Sequence, residues 1–142
     1  MVRVVATGVF SIIHPGHIIF LKEARKLGDE LVVVVARDKT VGLRKGSQYI
    51  PEEQRLHVVS ALKMVDKAVL GDEEDIYKPM KDLKPDIIAL GSDQDFDEEK
   101  LQSELRNQGL NAKLVRIKRY YKGELYSTRR IIDRIKNSKK ID

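Results

Sequence analysis

Two of the chain's three histidines stand three residues apart, in His14-Pro15-Gly16-His17. Val2 to Ala6 reads as a strand and Thr7-Gly8-Val9-Phe10-Ser11 as the turn leaving it, while Phe20, Ala24 and Leu27 repeat at helical spacing. The histidines therefore sit where a strand hands over to a helix. First-turn N–H groups of a helix lack intrahelical partners and carry partial positive charge, which makes such a turn an anion site. Two imidazoles at i and i+3 share one face of it. Each can donate a hydrogen bond to a phosphate oxygen, neutral or protonated. Read as structure alone, the segment is a Pro-Gly turn with two incidental histidines. Both copies flanking one glycine at a strand-to-helix junction favour the chemical reading.

The elements that must position this turn alternate along the chain. Glu30 to Ala36 is a strand whose unbroken valine run suits a position covered on both faces. Arg37 to Ile50 reads as a Gly- and Lys-containing loop. Pro51-Glu52-Glu53 opens a helix that carries Leu56, Val59 and Leu62 toward Met64. Asp66 to Leu70 is a third strand, Ile76 to Leu83 a short helix and Asp86 to Leu90 a fourth strand ended by Gly91. Asp97 to Asn107 is a helix stopped by Gly109, and Ala112 to Ile117 a fifth strand. Ser127 caps a last helix with Ile131, Ile132 and Ile135 expected inward. This pattern predicts an α/β, Rossmann-like three-layer fold: a five-stranded parallel sheet with helices on both faces, in a single domain over 1–142 with a frayed tail at 137–142.

Ligands of open parallel sheets bind outside the carboxyl ends of the strands. The unusual segments fall there: Thr7 to His17, Arg37 to Lys45, Gly91 to Phe96 and Lys118 to Thr128. Histidines, basic side chains, a Gly-Ser-Asp turn and a Ser-Thr-Arg helix start thus share one crevice, and a nucleoside triphosphate fits them. The first βα turn lacks Gly-x-Gly-x-x-Gly, and no Gly-x-x-x-x-Gly-Lys-Ser/Thr is present, so a dinucleotide fingerprint and a P-loop are both absent. Phosphates must be held by histidines, Lys/Arg and helix termini instead. That set suits nucleotidyl transfer, in which an acceptor phosphate attacks the α-phosphorus and pyrophosphate leaves. The reaction needs positioning and charge neutralisation more than a covalent nucleophile.

Composition bounds the partners. The 142 residues carry a net charge of +5, with 42% hydrophobic and 35% charged residues. The basic stretches suit small phosphates or nucleic acid, but 6% aromatics without Trp argue against a base-stacking platform, so no nucleic-acid partner is expected. Without cysteine there is no disulfide or thiolate metal site. No segment has the length and apolarity of a membrane span and no signal peptide is seen, so the expectation is a cytoplasmic protein without a membrane partner.

These residues also carry a resemblance. Gly8-Val9-Phe10-Ser11-Ile12-Ile13-His14-Pro15-Gly16-His17 resembles the Gly-x-Phe-Asp-x-x-His-x-Gly-His hallmark of the cytidylyltransferase-like nucleotidyltransferases. Tyr126-Ser127-Thr128-Arg129-Arg130-Ile131 resembles the Ser/Thr-rich segment that opens the family's last helix. Lys45 with Glu52-Glu53-Gln54-Arg55, and Gly91-Ser92-Asp93-Gln94, are similar to further family segments. Ser11 stands where the family usually has Asp, so a hydroxyl without charge replaces that contact.

The resemblance implies catalytic roles for His14, His17 and Lys45. It implies nucleotide contacts from Gly8, Val9, Phe10, Pro15, Gly16, Gly91, Asp93, Tyr121, Ser127, Thr128 and Arg129. It places Asp93 at the ribose or base, Tyr121 over the base, and Ser127, Thr128 and Arg129 on the β,γ-phosphates. It implies no metal ligands from the chain, Mg²⁺ carried by the triphosphate, and a homodimer. Read without it, Lys45 is a solvated loop lysine, Asp93 a turn residue, Ser127 a simple cap, His57 structural and Tyr120-Tyr121 a packed hinge. Asp38 and Arg55 stay open between an ion pair and a substrate contact.

Within the family the resemblance is longest with archaeal-type FAD synthases, through Val35-Ala36-Arg37-Asp38, Ile50-Pro51-Glu52-Glu53-Gln54-Arg55 and Leu83-Lys84-Pro85-Asp86-Ile87-Ile88. That implies ATP and FMN as substrates and AMP transfer to make FAD. The alternatives are a glycerol-3-phosphate cytidylyltransferase using CTP, a sugar-phosphate adenylyltransferase of lipopolysaccharide-precursor type, and a non-catalytic nucleotide-binding module.

Overall fold

The computed structural model describes residues 1–45, 50–92, 94–95 and 97–138. Its elements run β1 (Arg3–Gly8), α1 (Pro15–Arg25), β2 (Glu30–Val35), α2 (Asp38–Lys45), α3 (Glu52–Ser60), β3 (Lys67–Leu70), α4 (Lys78–Leu83), β4 (Ile87–Leu90), α5 (Glu98–Asn107), β5 (Lys113–Arg116) and α6 (Thr128–Lys136). The strands form one parallel sheet in the order β3-β2-β1-β4-β5. The five-stranded, Rossmann-like α/β architecture is therefore as the sequence pattern predicts.

The sheet has a covered face on each side because its apolar strands alternate at period two. Val4, Ala6, Leu31, Val33 and Val35 join Leu21 and Ala24 of α1 and Val59 of α3 in one core cluster. Val5, Val32, Val34, Ile88 and Leu90 join Met80 of α4 and Leu105 of α5 in the other. Fully burying each such side chain contributes about 1.5–3 kcal/mol, so the valine run of β2 alone anchors both layers. Register brings Gly8, Val35 and Leu70 level at one edge, with Leu90 beside Arg116 beyond β1. Chain direction across the sheet reverses between β1 and β4, so the switch point lies beside the histidine turn. Among the described residues no helix is long and apolar enough to cross a membrane.

Three expectations need correction, and one open alternative is settled. The stretch from Arg37 is not all loop: Asp38–Lys45 is helical, so two helices separate β2 from β3. The helix opened by Pro51 ends at Ser60, with Ala61 as its cap, rather than running toward Met64. On the last helix Ile131 and Ile132 are half-buried, but Ile135 is 51% exposed and does not face inward. Asp38 and Arg55 form an ion pair at 2.7 Å. In the expected tail, Asn137 and Ser138 still donate backbone hydrogen bonds to Asp133 and Ile135. Residues 139–142 lie outside the described residues.

α4 and α5 are joined by the Tyr77 hydroxyl, which donates to the Glu104 carboxylate. Burial, then the Glu104 hydrogen bond, push the Tyr77 phenol up to about 12. The folded protein therefore keeps a proton that the unfolded phenol loses near its ordinary value of 10.0. The resulting stability is complete below that value and is lost as pH rises through about 12. Comparing urea midpoints of Tyr77→Phe and the parent from pH 9 upward tests this: the parent's advantage should shrink through that window. A constant difference would contradict it.

Candidate active site

α1 begins in an unusual way. His14 is its N-cap, in extended conformation (φ −141°), and its Nδ1 accepts the Gly16 N–H at 3.0 Å. His17 Nδ1 accepts the His14 N–H at 3.2 Å. This is the reciprocal arrangement usually built from Ser/Thr and Glu, here built from two imidazoles. The rings lie 3.9 Å apart between centroids, tilted by 38°. A ring whose Nδ1 accepts is neutral and carries its proton on Nε2. The cap thus sets the tautomer of both histidines and makes Nε2 the donor. Pro15 occupies the first turn, where a missing N–H costs nothing.

Gly16 is required by close approach. A Cβ there would stand 2.7 Å from His14 Cε1 and 3.2 Å from the Tyr126 carbonyl oxygen. The segment entering α6 is therefore pressed against the start of α1. Thr128 Oγ1 fastens it by donating to the Ile12 carbonyl at 3.1 Å. Ser127 caps α6, its Oγ accepting the Arg130 N–H at 3.2 Å, so its own O–H remains a donor. Two helix N-termini meet here, and their partial positive charges add for an anion between them. Arg129 is exposed on the first turn of α6.

The exit of β1 is shaped by Phe10, which is 4% exposed and adopts φ 55°. A side chain other than glycine in this left-handed region costs about 1–3 kcal/mol, so the surroundings must enforce it. The Phe10 ring packs 5.4 Å from the His17 ring and 2.8 Å from where a Cβ on Gly8 would lie. From below, Arg55 donates to the Val9 carbonyl at 2.8 Å and to the Ala36 carbonyl at 2.7 Å. Beside it, Glu52 accepts both the Asp38 N–H and the Arg37 guanidinium, tying the starts of α2 and α3 together. The Glu52 hydrogen bond, opposed by burial, raises Arg37 above its ordinary value.

On the other side of β1, Gly91 is buried and donates its N–H to Gln94 Oε1 at 2.7 Å. Gln94 Nε2 reaches the Thr7 carbonyl at 3.2 Å, and Arg116 donates to the carbonyls of Gly91 and Gln94. The turn after β4 is thereby clamped to the end of β1.

The structure thus brings Gly8, Val9, Phe10, His14, Pro15, Gly16, His17, Ser127 and Thr128 to one place, with Gly91 held beside β1 by Gln94. Asp93 lies outside the described residues, and of Lys45 only its place as the last residue of α2 is described. Tyr121 is half-buried between β5 and α6, its ring folded over Gly123, while Tyr120 is 57% exposed rather than packed. His57 is exposed on α3. Sequence reasoning missed the clamping roles of Gln94 and Arg116. It also left Arg55 open, although an arginine four residues before Val59 on the apolar face of α3 is a signal for a buried, hydrogen-bonded charge.

The chain is similar to known proteins over most of its length. Residues 5–134 match the cytidylyltransferase-like family model. A FAD synthase from Archaeoglobus profundus is 66% identical over 135 residues, spanning 95% of this chain and 86% of that protein. A FAD synthase from Methanohalophilus mahii is 49% identical over 142 residues, spanning 100% of this chain and 99% of that protein. The crystal structure of a lipopolysaccharide core biosynthesis protein from Thermoplasma volcanium GSS1 superposes with a TM-score of 0.82 at 54% identity, covering 85% of this chain and 98% of that one.

The packing at Gly16 predicts a reversed sign for a common substitution. Alanine for glycine within a helix ordinarily stabilises by about 0.5–1 kcal/mol. Gly16→Ala should instead destabilise by about 1 kcal/mol, the usual cost of a lost cap, because its methyl displaces the His14 ring. Equilibrium unfolding checks this, and a stabilised variant would refute the packing described.

Proposed function

The chain belongs to the cytidylyltransferase-like family, and from that membership we infer that it is an FMN adenylyltransferase. It transfers AMP from ATP to FMN, giving FAD and pyrophosphate, in keeping with FAD synthases that match it over nearly their whole length. The observation that carries the catalytic reading is the meeting of two helix N-termini beside a pair of imidazoles whose Nε2 atoms are donors.

In this reading a phosphate oxygen of FMN attacks the α-phosphorus. A new P–O bond forms as the bond from that phosphorus to the oxygen bridging toward the β-phosphate breaks, and pyrophosphate leaves with the electron pair. His14 and His17 donate through Nε2 to the phosphate oxygens where charge grows. Gly16 lets the first turn of α1 approach them, and Gly8, Pro15 and Gly91 shape the walls. Val9 and Phe10 contribute backbone groups. The Ser127 hydroxyl and the first-turn N–H groups of α6 hold the β,γ-phosphates, with Arg129 above them. The Thr128 hydroxyl is committed to Ile12, so Thr128 contributes its N–H. Lys45 reaches the phosphates, Asp93 faces the ribose or base, and Tyr121 closes over the base.

A divalent cation suits this site as cargo of the nucleotide. The groups gathered here are imidazoles, hydroxyls and N–H donors, which select phosphate oxygens, while Mg²⁺ is readily held by the triphosphate and water. When bound it neutralises triphosphate charge. The working unit in this reading is a homodimer, for which the exposed Ile135 side of α6 offers apolar surface.

Purified protein with Mg²⁺ should release pyrophosphate with ATP plus FMN, and not with CTP plus glycerol 3-phosphate. His14→Ala and His17→Ala should each lower kcat by about 10²–10³-fold with the fold intact. Turnover confined to CTP and glycerol 3-phosphate would replace the substrate assignment. Histidine variants with full activity would overturn the catalytic one.

A further inference from the structure

We infer that Arg55 is a positioning residue for this reaction, setting the Val9–Phe10 peptide so that the Phe10 N–H faces the phosphates of the nucleotide. The inference rests on the nucleotidyl-transfer reading for its ligand. Arg55 is 1% exposed and is the one buried charged residue among those described. Its guanidinium donates in three directions: Nε to the Ile50 carbonyl at 2.8 Å, Nη1 to Val9 and Ala36 at 2.8 and 2.7 Å, and Nη2 to Asp38 Oδ1 at 2.7 Å. These acceptors belong to the exits of β1 and β2 and the entry of α3. A buried guanidinium is costly to desolvate, and apolar packing would fill its place at least as stably. What a leucine there could not do is orient three backbone carbonyls at once.

The Val9 carbonyl is the one that bears on chemistry. Every peptide bond described is trans, so within the Val9–Phe10 peptide plane the Phe10 N–H points opposite to the Val9 oxygen, and so away from Arg55. No acceptor among the described residues takes that N–H. Phe10 is 4% exposed, and its ring lies against His17, so the residue that carries the unclaimed donor packs against the imidazole pair. A donor in so buried a residue ordinarily has a partner, and an anion bound at the start of α1 supplies one. The left-handed Phe10 conformation turns the chain here, and the hydrogen bond from Arg55 holds it. Through Ala36 and Asp38 the same side chain sets the start of α2, so one cation aligns both sides of the β1 exit.

Selective amide labelling of the three phenylalanines reads this directly. Adding ATP without FMN should shift the Phe10 amide resonance of the parent protein. In Arg55→Lys, which keeps the charge but not the fork, that response should be lost. Its kcat should fall at least about tenfold while KM for FMN changes less than about twofold, since misplacement of reacting groups acts on the chemical step. A Phe10 amide unmoved by saturating ATP overturns the proposal, as does a folded lysine variant with kcat within twofold of the parent. Should the lysine variant not fold, the response of the parent alone decides. A parent protein that binds ATP but makes no FAD refutes FMN as acceptor and leaves the Phe10 comparison intact.

Discussion

The start of α1 is the constraint on which the rest of this molecule's carboxyl edge depends. A helix needs its first N–H groups satisfied, and here two imidazoles satisfy one another's backbone through Nδ1. That single arrangement fixes ring orientation, protonation site and separation. It also requires glycine between the rings, because a methyl at Gly16 would strike His14. The space left by that glycine is taken by the Tyr126 carbonyl, which brings the second helix N-terminus within reach. In the proposed reaction a structural cap and an anion site are the same set of atoms, with Nδ1 turned to the backbone and Nε2 offered to the ligand.

The remaining polar contacts at this edge hold β1's exit in place for that cap. Arg55 fixes its carbonyls from one side, while Gln94 ties the turn after β4 to Thr7 from the other. Arg116 fixes that turn in its own right. A buried charge such as Arg55 is a poor stabiliser in comparison with apolar packing, and losing one partner of it is expensive. The two apolar clusters supply the stability, so the polar clamps are free to determine geometry. A left-handed phenylalanine in the middle of them is the local strain that such over-determination can sustain.

Much of this was legible from residue order. Valine runs alternating with helical spacing define the sheet, and His14 to His17 fall at a strand-to-helix junction, where they mark the candidate site. The helix Asp38–Lys45 was not legible, since Thr40 and Gly42 are weak helix formers and Lys/Arg enrichment reads as a loop. Contacts distant in sequence support it: Glu52 accepts the Asp38 N–H and Arg55 holds the Asp38 carboxylate. Ile135 follows the apolar spacing of α6, but that helix is fastened at its first turn, by Thr128, and its last turn stands in solvent. Arg55 interrupts an apolar face, and only the three-dimensional placement of Val9, Ala36 and Ile50 reveals why. Gln94 and Arg116 carry no motif at all, because their partners are carbonyls.

The most direct measurement is the side-chain nitrogen spectrum of the histidines, taken with the imidazoles neutral and repeated with ATP. The account predicts that His14 and His17 are both protonated at Nε2, with Nδ1 accepting, and that ATP moves the Nε2 resonances while the Nδ1 signals keep their hydrogen-bonded positions. Protonation at Nδ1 in either ring, or Nε2 signals indifferent to ATP, would contradict the claim that one pair of imidazoles serves as both helix cap and phosphate site.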